Sequence, residues 1–415
     1  MQPKVYTVDD HDIALNLIDT DALYVLKKLQ EAGYEAYLVG GSVRDLLLKR
    51  TPKDYDISTS ALPEEIKQVF QRRCVLIGRR FRLAHVRFGH KIIEVATFRS
   101  GEGESDLIVQ DNQWGTAEED VLRRDFTING LFYDPIHHTV IDFVGGWEDI
   151  HSNTLRAIGN AEVRFKQDPV RMIRLLKFRA RFGFQIANEA KKALIQCKNE
   201  ILKSSQARIL EEILRMLESG ASAPFFSLLQ ETGILQLLYP ALAHFLKTNE
   251  GKEVLIYLRA ADKINLNLGK QKLDRAVLFT CLLYPMMQLQ LHEKYLKHNQ
   301  IPHLGEVLMV ASSVLKHFTD GSFTQFPRRI TVLSHAILST QFRLVPLTNK
   351  QSTPGKVFRY KEFPSALAFL QVRALVDKRL IEQYSHWKSL YRQHAHPSDH
   401  KPHRHAHPQV QAQEA

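Results

Sequence analysis

The chain has 415 residues, 44% of them hydrophobic and 24% charged, which suits a soluble globular protein too long for one compact core. A formal net charge of +11 and a sequence pI near 9.4 favour a polyanionic partner such as RNA, DNA or a nucleotide. Cys74, Cys197 and Cys281 lie far apart, which argues against a disulfide framework or a structural zinc site. With no basic-then-apolar start, this predicts a cytoplasmic protein. The most apolar run, Ala276 to Met287, is interrupted by Pro285 and too short to cross a bilayer, so no membrane role is expected.

Residues 22 to 32 place Ala22, Val25, Leu26 and Leu29 on one helical face, with Gly33 at the C-terminal stop. Ala36 to Val39 reads as a strand ending at Gly40-Gly41. Ser42 can cap the helical turn that follows, which carries Val43, Arg44 and Leu46–Leu48. Backbone N–H groups at such a helix start bind phosphate oxygens, and Arg44 is close by. A triphosphate cradle and a plain structural turn both fit. Next comes Lys53-Asp54-Tyr55-Asp56. Read as a strand, it puts Asp54 and Asp56 on one face with Tyr55 opposite. Two adjacent carboxylates repel unless a cation lies between them, and oxygen ligands suit Mg²⁺.

A helix is expected over Glu64 to Phe70, after Pro63. Gly78–Phe88 and Ile92–Phe98 flank a three-residue Gly89-His90-Lys91 connection and predict a β-hairpin. Glu94 shares a face with Ile92, Ala96 and Phe98. It is a third metal-side carboxylate if its strand adjoins Asp54, and otherwise an edge residue or an arginine partner. Residues 100–115 lack periodicity and predict a mobile, lid-like loop. Thr116 and Glu119 form a capping box that opens a helix leading to Arg123, Arg124 and Asp125. This triplet reads either as a surface charge cluster or as a site for triphosphate and ribose. Val140–Val144 and Leu155–Ile158 are expected strands around Gly145-Gly146, and the alternating α and β pattern ends near residue 160.

Beyond that point the patterns are helical. Asp168 is the expected N-cap of a helix with Pro169 at its first position and Gly183 at its end. Arg171, Arg174, Lys177 and Arg181 form a basic stripe without acidic i+4 partners, either a solvated face or a phosphate or base contact. Further helices are expected over 207–218, 224–232, 276–288, 304–318, 330–342 and 364–391. Phe358-Arg359-Tyr360-Lys361 interleaves rings and cations as single-strand binders do, and Arg328-Arg329 adds a basic pair; strand binding and plain surface charge both fit. The stretch 394–415 is rich in His and Pro and predicts disorder, with weak metal binding open to it.

Five segments in order, LVGGSVRD (38–45), KDYDIST (53–59), IIEVATF (92–98), EEDVLRRDFTING (118–130) and DPVRMIRLLKF (168–178), closely resemble the class II nucleotidyltransferases, which include bacterial poly(A) polymerases and CCA-adding tRNA enzymes. HDIALNLIDTDAL (11–23) and GRRFRLAHV (78–86) look like the poly(A) polymerase branch. The resemblance spans roughly residues 11 to 392 and implies an α+β fold: a palm-like head with a mixed β-sheet, then all-α neck, body and tail domains. The implied bounds are 1–160 for the catalytic head, 161–235 for a base-recognising neck, 236–393 for an RNA-binding body and tail, and 394–415 for the His-rich end.

By the same resemblance, Asp54 and Asp56 hold two Mg²⁺ ions with Glu94 assisting, and Asp125 counts among the catalytic carboxylates. Gly40, Gly41 and Arg44 serve the triphosphate, Arg123 and Arg124 the nucleotide. Asp168 and Arg171 read the incoming base, with Arg174 close by. Lys177, Arg181, Arg328 and Arg329 are candidate RNA contacts. Gln167 stands where the family usually has Glu, and Lys177 where many CCA-adding members have Arg. The implied reaction is template-independent AMP transfer from ATP to RNA 3′ ends by a monomer. CCA addition to tRNA and silent RNA binding are the alternatives.

Overall fold

The computed structural model describes residues 2–78, 83–100, 113–269, 271–347 and 354–395. Most of the expected loop at 100–115, residues 79–82 of the 78–86 segment, and the His-rich end beyond Ala395 therefore lie outside the described residues. The chain divides into two compact units. One comprises residues 1–216, 224–240 and 322–325; the other comprises 217–223, 241–321 and 326–415.

In the first unit, eight strands make one mixed sheet: β1 (Lys4–Tyr6), β2 (Ala36–Val39), β3 (Asp56–Thr59), β4 (Cys74–Ile77), β5 (Leu83–Phe88), β6 (Lys91–Thr97), β7 (Leu131–Asp134) and β8 (Thr139–Asp142). Their order is β1-β8-β7-β2-β3-β6-β5-β4. All neighbours are antiparallel except β3 and β6, which run parallel. Helix α1 (Thr20–Glu31) buries Ala22, Val25, Leu26 and Leu29 as expected, and the Asp19 carboxylate caps it by accepting from the Asp21 and Ala22 amides. The shorter α2 (Gly41–Leu47), α3 (Pro63–Phe70), α4 (Ala117–Leu122) and α5 (Gly146–His151) connect strands. The capping box on α4 is formed, with Thr116 and Glu119 each bonding the other's amide.

Several details differ from expectation. β1, β4 and α5 carry too few residues to show a period. The β5–β6 hairpin turn is two residues, Gly89-His90, because Lys91 pairs with Phe88. Strand pairing does not stop at residue 160, since β9 (Thr154–Leu155) runs parallel to β10 (Gln185–Ile186).

The remaining helices are α6 (Ala161–Gln167), α7 (Val170–Phe182), α8 (Asn188–Cys197), α9 (Gln206–Leu217), α10 (Ser222–Glu231), α11 (Ile234–Leu238), α12 (Pro240–Phe245), α13 (Lys252–Asn267), α14 (Arg275–Lys294), α15 (Leu304–Thr319), α16 (Arg328–Leu344), α17 (Pro354–Val357), α18 (Phe363–Val376) and α19 (Ile381–Ala395). In the second unit, α14 is buried along Ala276–Met287 and continues through Pro285 to Lys294. The single helical pattern expected over 364–391 is broken, because the Asp377 carboxylate accepts from the Arg379 amide and starts a separate turn before α19. Phe358 packs on Phe363, Trp387 and Tyr391, and the Tyr360 hydroxyl accepts from Arg343. Those rings serve the core of α18 and α19, which corrects the base-stacking reading of residues 358–361. Among the described residues no helix is long and apolar enough to cross a membrane.

Candidate active site

The site grows from the end of β2. Val39 is its last residue, and Gly40 turns the chain at φ +68° and ψ −126°, a conformation that side chains disfavour. A Cβ on Gly40 would lie 3.2 Å from Arg124 Nη1. Ser42 is inside α2 rather than at its cap, and its hydroxyl donates to the Val39 carbonyl at 2.9 Å.

Asp54 is not part of a strand, contrary to expectation. β2 pairs its final residue, Val39, with Asp56, and Gly40 then leaves the sheet, so Tyr55 and Asp54 have no ladder partner. Tyr55 is instead held by its hydroxyl, which donates to the Leu17 carbonyl at 2.6 Å. The strand adjacency on which the Glu94 expectation depends is present at Asp56 rather than Asp54: Asp56 pairs with Glu94 across the parallel β3–β6 ladder, and Glu94 pairs with His85 across β6–β5. His85 Nε2 is 3.7 Å from the Glu94 carboxylate. Packing strips water from the Asp56 carboxyl although the residue still shows surface. That loss of hydration, then the charges of Glu94 and Asp54, push its pKa up to about 6 against the pull of Arg124.

Asp125 is a hub. Its Oδ1 accepts from the Phe126 amide at 2.8 Å and from Asn129 Nδ2 at 3.0 Å, and its Oδ2 accepts from Arg174 at 3.3 Å. Asn129 Oδ1 in turn takes Arg44 Nη1, while the rest of the Arg44 guanidinium donates to Asp45. Arg124 bonds Asp120 and Ser58 and lies over the Phe132 ring. The turn after α4 is fixed by two buried guanidinium groups. Arg164 donates to the carbonyls of Leu122 and Arg124, and Arg171 donates to that of Arg123. Burial, then mutual repulsion with Arg171, holds Arg164 down to about 10.

Asp168 does not cap α7, because Pro169 precedes the first helical residue and the carboxylate accepts from Arg208 at 2.8 Å. Gly183 ends α7 in the left-handed conformation expected. From Arg171 to Lys177 the basic stripe is packed rather than solvated, and it is not without acid. Arg174 and Lys177 share Glu212 of α9, at 3.0 and 2.6 Å. Burial works to raise the Glu212 carboxyl, but Lys177 and Arg174 outweigh it and hold it below its ordinary range. Arg181 is exposed at the end of α7. Arg328 and Arg329 are exposed in the first turn of α16, in the second unit. Among the described residues the buried Gln167 amide oxygen has no hydrogen-bond partner.

Asn129 and Glu212 were not singled out from the sequence. Asn129 is, with Thr127, one of two polar residues in the largely apolar stretch Phe126 to Phe132. Glu212 sits on the buried side of α9 with Ile209, Ile213 and Met216. A basic stripe with no acid of its own was the signal that another helix must supply one.

Residues 36–156 match the family model described as "Poly A polymerase head domain", which encloses Gly40 through Asn129. Residues 183–246 match the model described as "Probable RNA and SrmB- binding site of polymerase A". The poly(A) polymerase I of Salmonella typhi is 34% identical over 405 residues, covering 94% of this chain and 86% of that protein. The chain belongs to the poly(A) polymerase family. The likeness within this nucleotidyltransferase family extends to CCA-adding enzymes. The Lactobacillus johnsonii enzyme is 39% identical over 217 residues, 52% of this chain and 54% of that protein. The solved Bacillus stearothermophilus CCA-adding enzyme in complex with CTP superposes with a TM-score of 0.64 at 27% identity, covering 90% of this chain and 81% of that one. An α+β fold with a mixed-sheet head is therefore common to this chain and the solved relative.

Proposed function

We propose that this poly(A) polymerase family member adds AMP from ATP to RNA 3′ ends without a template and releases pyrophosphate. The observation that carries this reading is the extent of the likeness. A named poly(A) polymerase I matches 94% of the chain, whereas the L. johnsonii CCA-adding enzyme matches 52%. The TM-score of 0.64 to a CCA-adding enzyme keeps CCA addition as the second reading. Three buried, unpaired cysteine thiols agree with a cytoplasmic setting.

The residues present fit a divalent cation. Asp54, Asp56 and Glu94 offer oxygen only, and Asp56 pairs with Glu94 across adjoining strands, where a cation would relieve the repulsion between their charges. Among the described residues no three His, Cys, Asp or Glu side chains are grouped to hold a metal ion by themselves. Two Mg²⁺ ions held by Asp54 and Asp56, with Glu94 assisting, would supply Lewis-acid activation of the attacking hydroxyl and neutralise charge on the triphosphate. The chain's own residues bind and orient. Gly40, Gly41 and Arg44 would receive the triphosphate, with Arg44 aimed by Asn129 and Asp45. Arg123 and Arg124 would meet the nucleotide, on a turn that Arg164 and Arg171 keep still. Asp125 would act by aiming Asn129 and Arg174. Asp168 would offer the base an acceptor at the start of α7, beside Arg171. Catalysis then rests on positioning and charge neutralisation rather than on a covalent enzyme intermediate.

The test uses purified protein, Mg²⁺ and either an oligo(A) primer or tRNA lacking its 3′ end, with each NTP alone and all together. A long ladder with ATP alone is expected. Addition that stops after C, C and A on tRNA only would overturn the reading. Asp54→Ala and Asp56→Ala should each abolish transfer in a folded protein, and retained transfer would remove them from the metal pair.

A further inference from the structure

Along the C-terminal half of α7, Phe178 and Phe182 stack with ring centroids 6.1 Å apart. Three guanidinium groups gather on Phe182: Arg44 at 4.6 Å from the centroid, Arg50 at 5.0 Å and Arg181 at 5.2 Å. These three do different work. Arg44 is buried and already engaged by Asp45 and Asn129. Arg50 and Arg181 are exposed, and among the described residues neither has a carboxylate in ion-pair reach. Asp45 forms its ion pair with Arg44 and reaches Arg181 only through its field, so among the described residues neither outer cation has an ion pair of its own.

An aromatic face attracts cations and aligns them, but it does not neutralise them. The crowding is felt at Arg181, whose proton affinity is lowered first by packing around its guanidinium and then by the charge of Arg44; Asp45 pulls the other way, and Arg50 adds a smaller lowering. Cations brought together without acids are stable partners for an anion. Guanidinium groups suit phosphate because their N–H forks match its oxygens. The arrangement is also well placed in the helix, since the last turn of α7 favours positive charge.

We propose that Arg50 and Arg181, supported by Phe182, form a phosphate-binding subsite for the backbone of the RNA primer. This deepens the adenylyl-transfer reading and rests on it for the identity of the nucleic acid. The inner, buried Arg44 is the member expected to hold ATP. The outer pair faces solvent, where a strand with a phosphate at every nucleotide can pass and a single mononucleotide need not reach.

Fluorescence anisotropy of a labelled oligo(A) primer on the full chain tests it, comparing wild type with Arg50→Ala/Arg181→Ala and Arg50→Lys/Arg181→Lys. Both positions are exposed, and thermal melts check that the variants stay folded. The alanine pair should weaken primer binding about tenfold or more at low salt. It should flatten the slope of log K against log salt by about 1.4, for two phosphates at about 0.7 each. The lysine pair should restore the slope but only part of the affinity, because a point charge replaces a fork. ATP affinity, measured by calorimetry on the same proteins, should not change. Unaltered primer affinity and slope in the alanine pair would overturn the subsite. So would lost ATP affinity with primer binding intact, which would assign the phosphate to ATP. The binding arms decide the subsite whether or not wild type extends the primer, and failure to extend counts against adenylyl transfer alone.

Discussion

Arg44 and Asn129 meet in the interior of the first unit, where the Asn129 amide oxygen takes the arginine's Nη1 and its amide nitrogen donates to Asp125. Together with Asp45, this one short side chain aims the arginine expected to hold the triphosphate. Asn129→Ala leaves a buried guanidinium donor without that acceptor, at about 1–3 kcal/mol of stability. It should raise KM for ATP about tenfold with a smaller change in kcat. Steady-state kinetics and melting of the purified variant check both, and an unchanged KM would separate Asn129 from substrate.

Gly40→Ala should be more damaging than its size suggests. The backbone at φ +68° and ψ −126° is strained for any residue with a Cβ, by roughly 1–3 kcal/mol. The new carbon would also crowd Arg124 Nη1. A lowered melting temperature together with lost transfer is expected; a variant with wild-type activity would show that the turn relaxes freely.

Tyr55→Phe removes the hydroxyl that ties Tyr55 to the Leu17 carbonyl. The lost hydrogen bond costs about 1 kcal/mol. Because Asp54 has no ladder partner to hold it, kcat should fall severalfold, on the order of 1 kcal/mol of barrier, while KM for ATP stays level. Loss of stability alone, with kcat intact, would mean that Asp54 is fixed by other contacts.

Glu212→Gln gives a pH signature. The Glu212 carboxyl is held below its ordinary range in the folded state, so its stabilisation is present above the unfolded value of 4.5 and disappears as pH falls through the lower folded value. Near neutrality the variant leaves Lys177 and Arg174 without their shared carboxylate and should lose about 3 kcal/mol. Denaturant melts across pH should show this gap constant above about pH 5 and closing below about pH 4. A gap that persists into acid would mean that packing, and not charge, holds α9 to α7.

The sequence was most readable where a feature is local. The α1 face, the Thr116–Glu119 capping box and the Gly183 stop all follow from residues within a few positions of one another. It was least readable where a distant partner decides. Asp54 falls off the strand because β2 runs out at Val39, and no pattern in residues 53–59 records the length of another strand. Asp168 had the makings of an N-cap, but Arg208 claimed its carboxylate. The aromatics at 358 and 360 looked like a stacking platform until α18 and α19 supplied rings to cover them. Charge patterning was legible in part. The stripe on α7 was visible, whereas the acid that matches it lies on another helix.

The arginine pair that grips the end of α4 bears on how this polypeptide can be divided. A fragment stopping at residue 160 would omit both Arg164 and Arg171, and the carbonyls of Leu122, Arg123 and Arg124 would lose their donors. It would also omit Arg174, and with it one ligand of the Asp125 hub. Such a truncation should express as an aggregating or molten species, so cloning boundaries for this half of the molecule belong beyond α9. Circularly rearranged or chimeric versions that swap α6 and α7 between relatives would have to carry the residue 122–125 turn along with them.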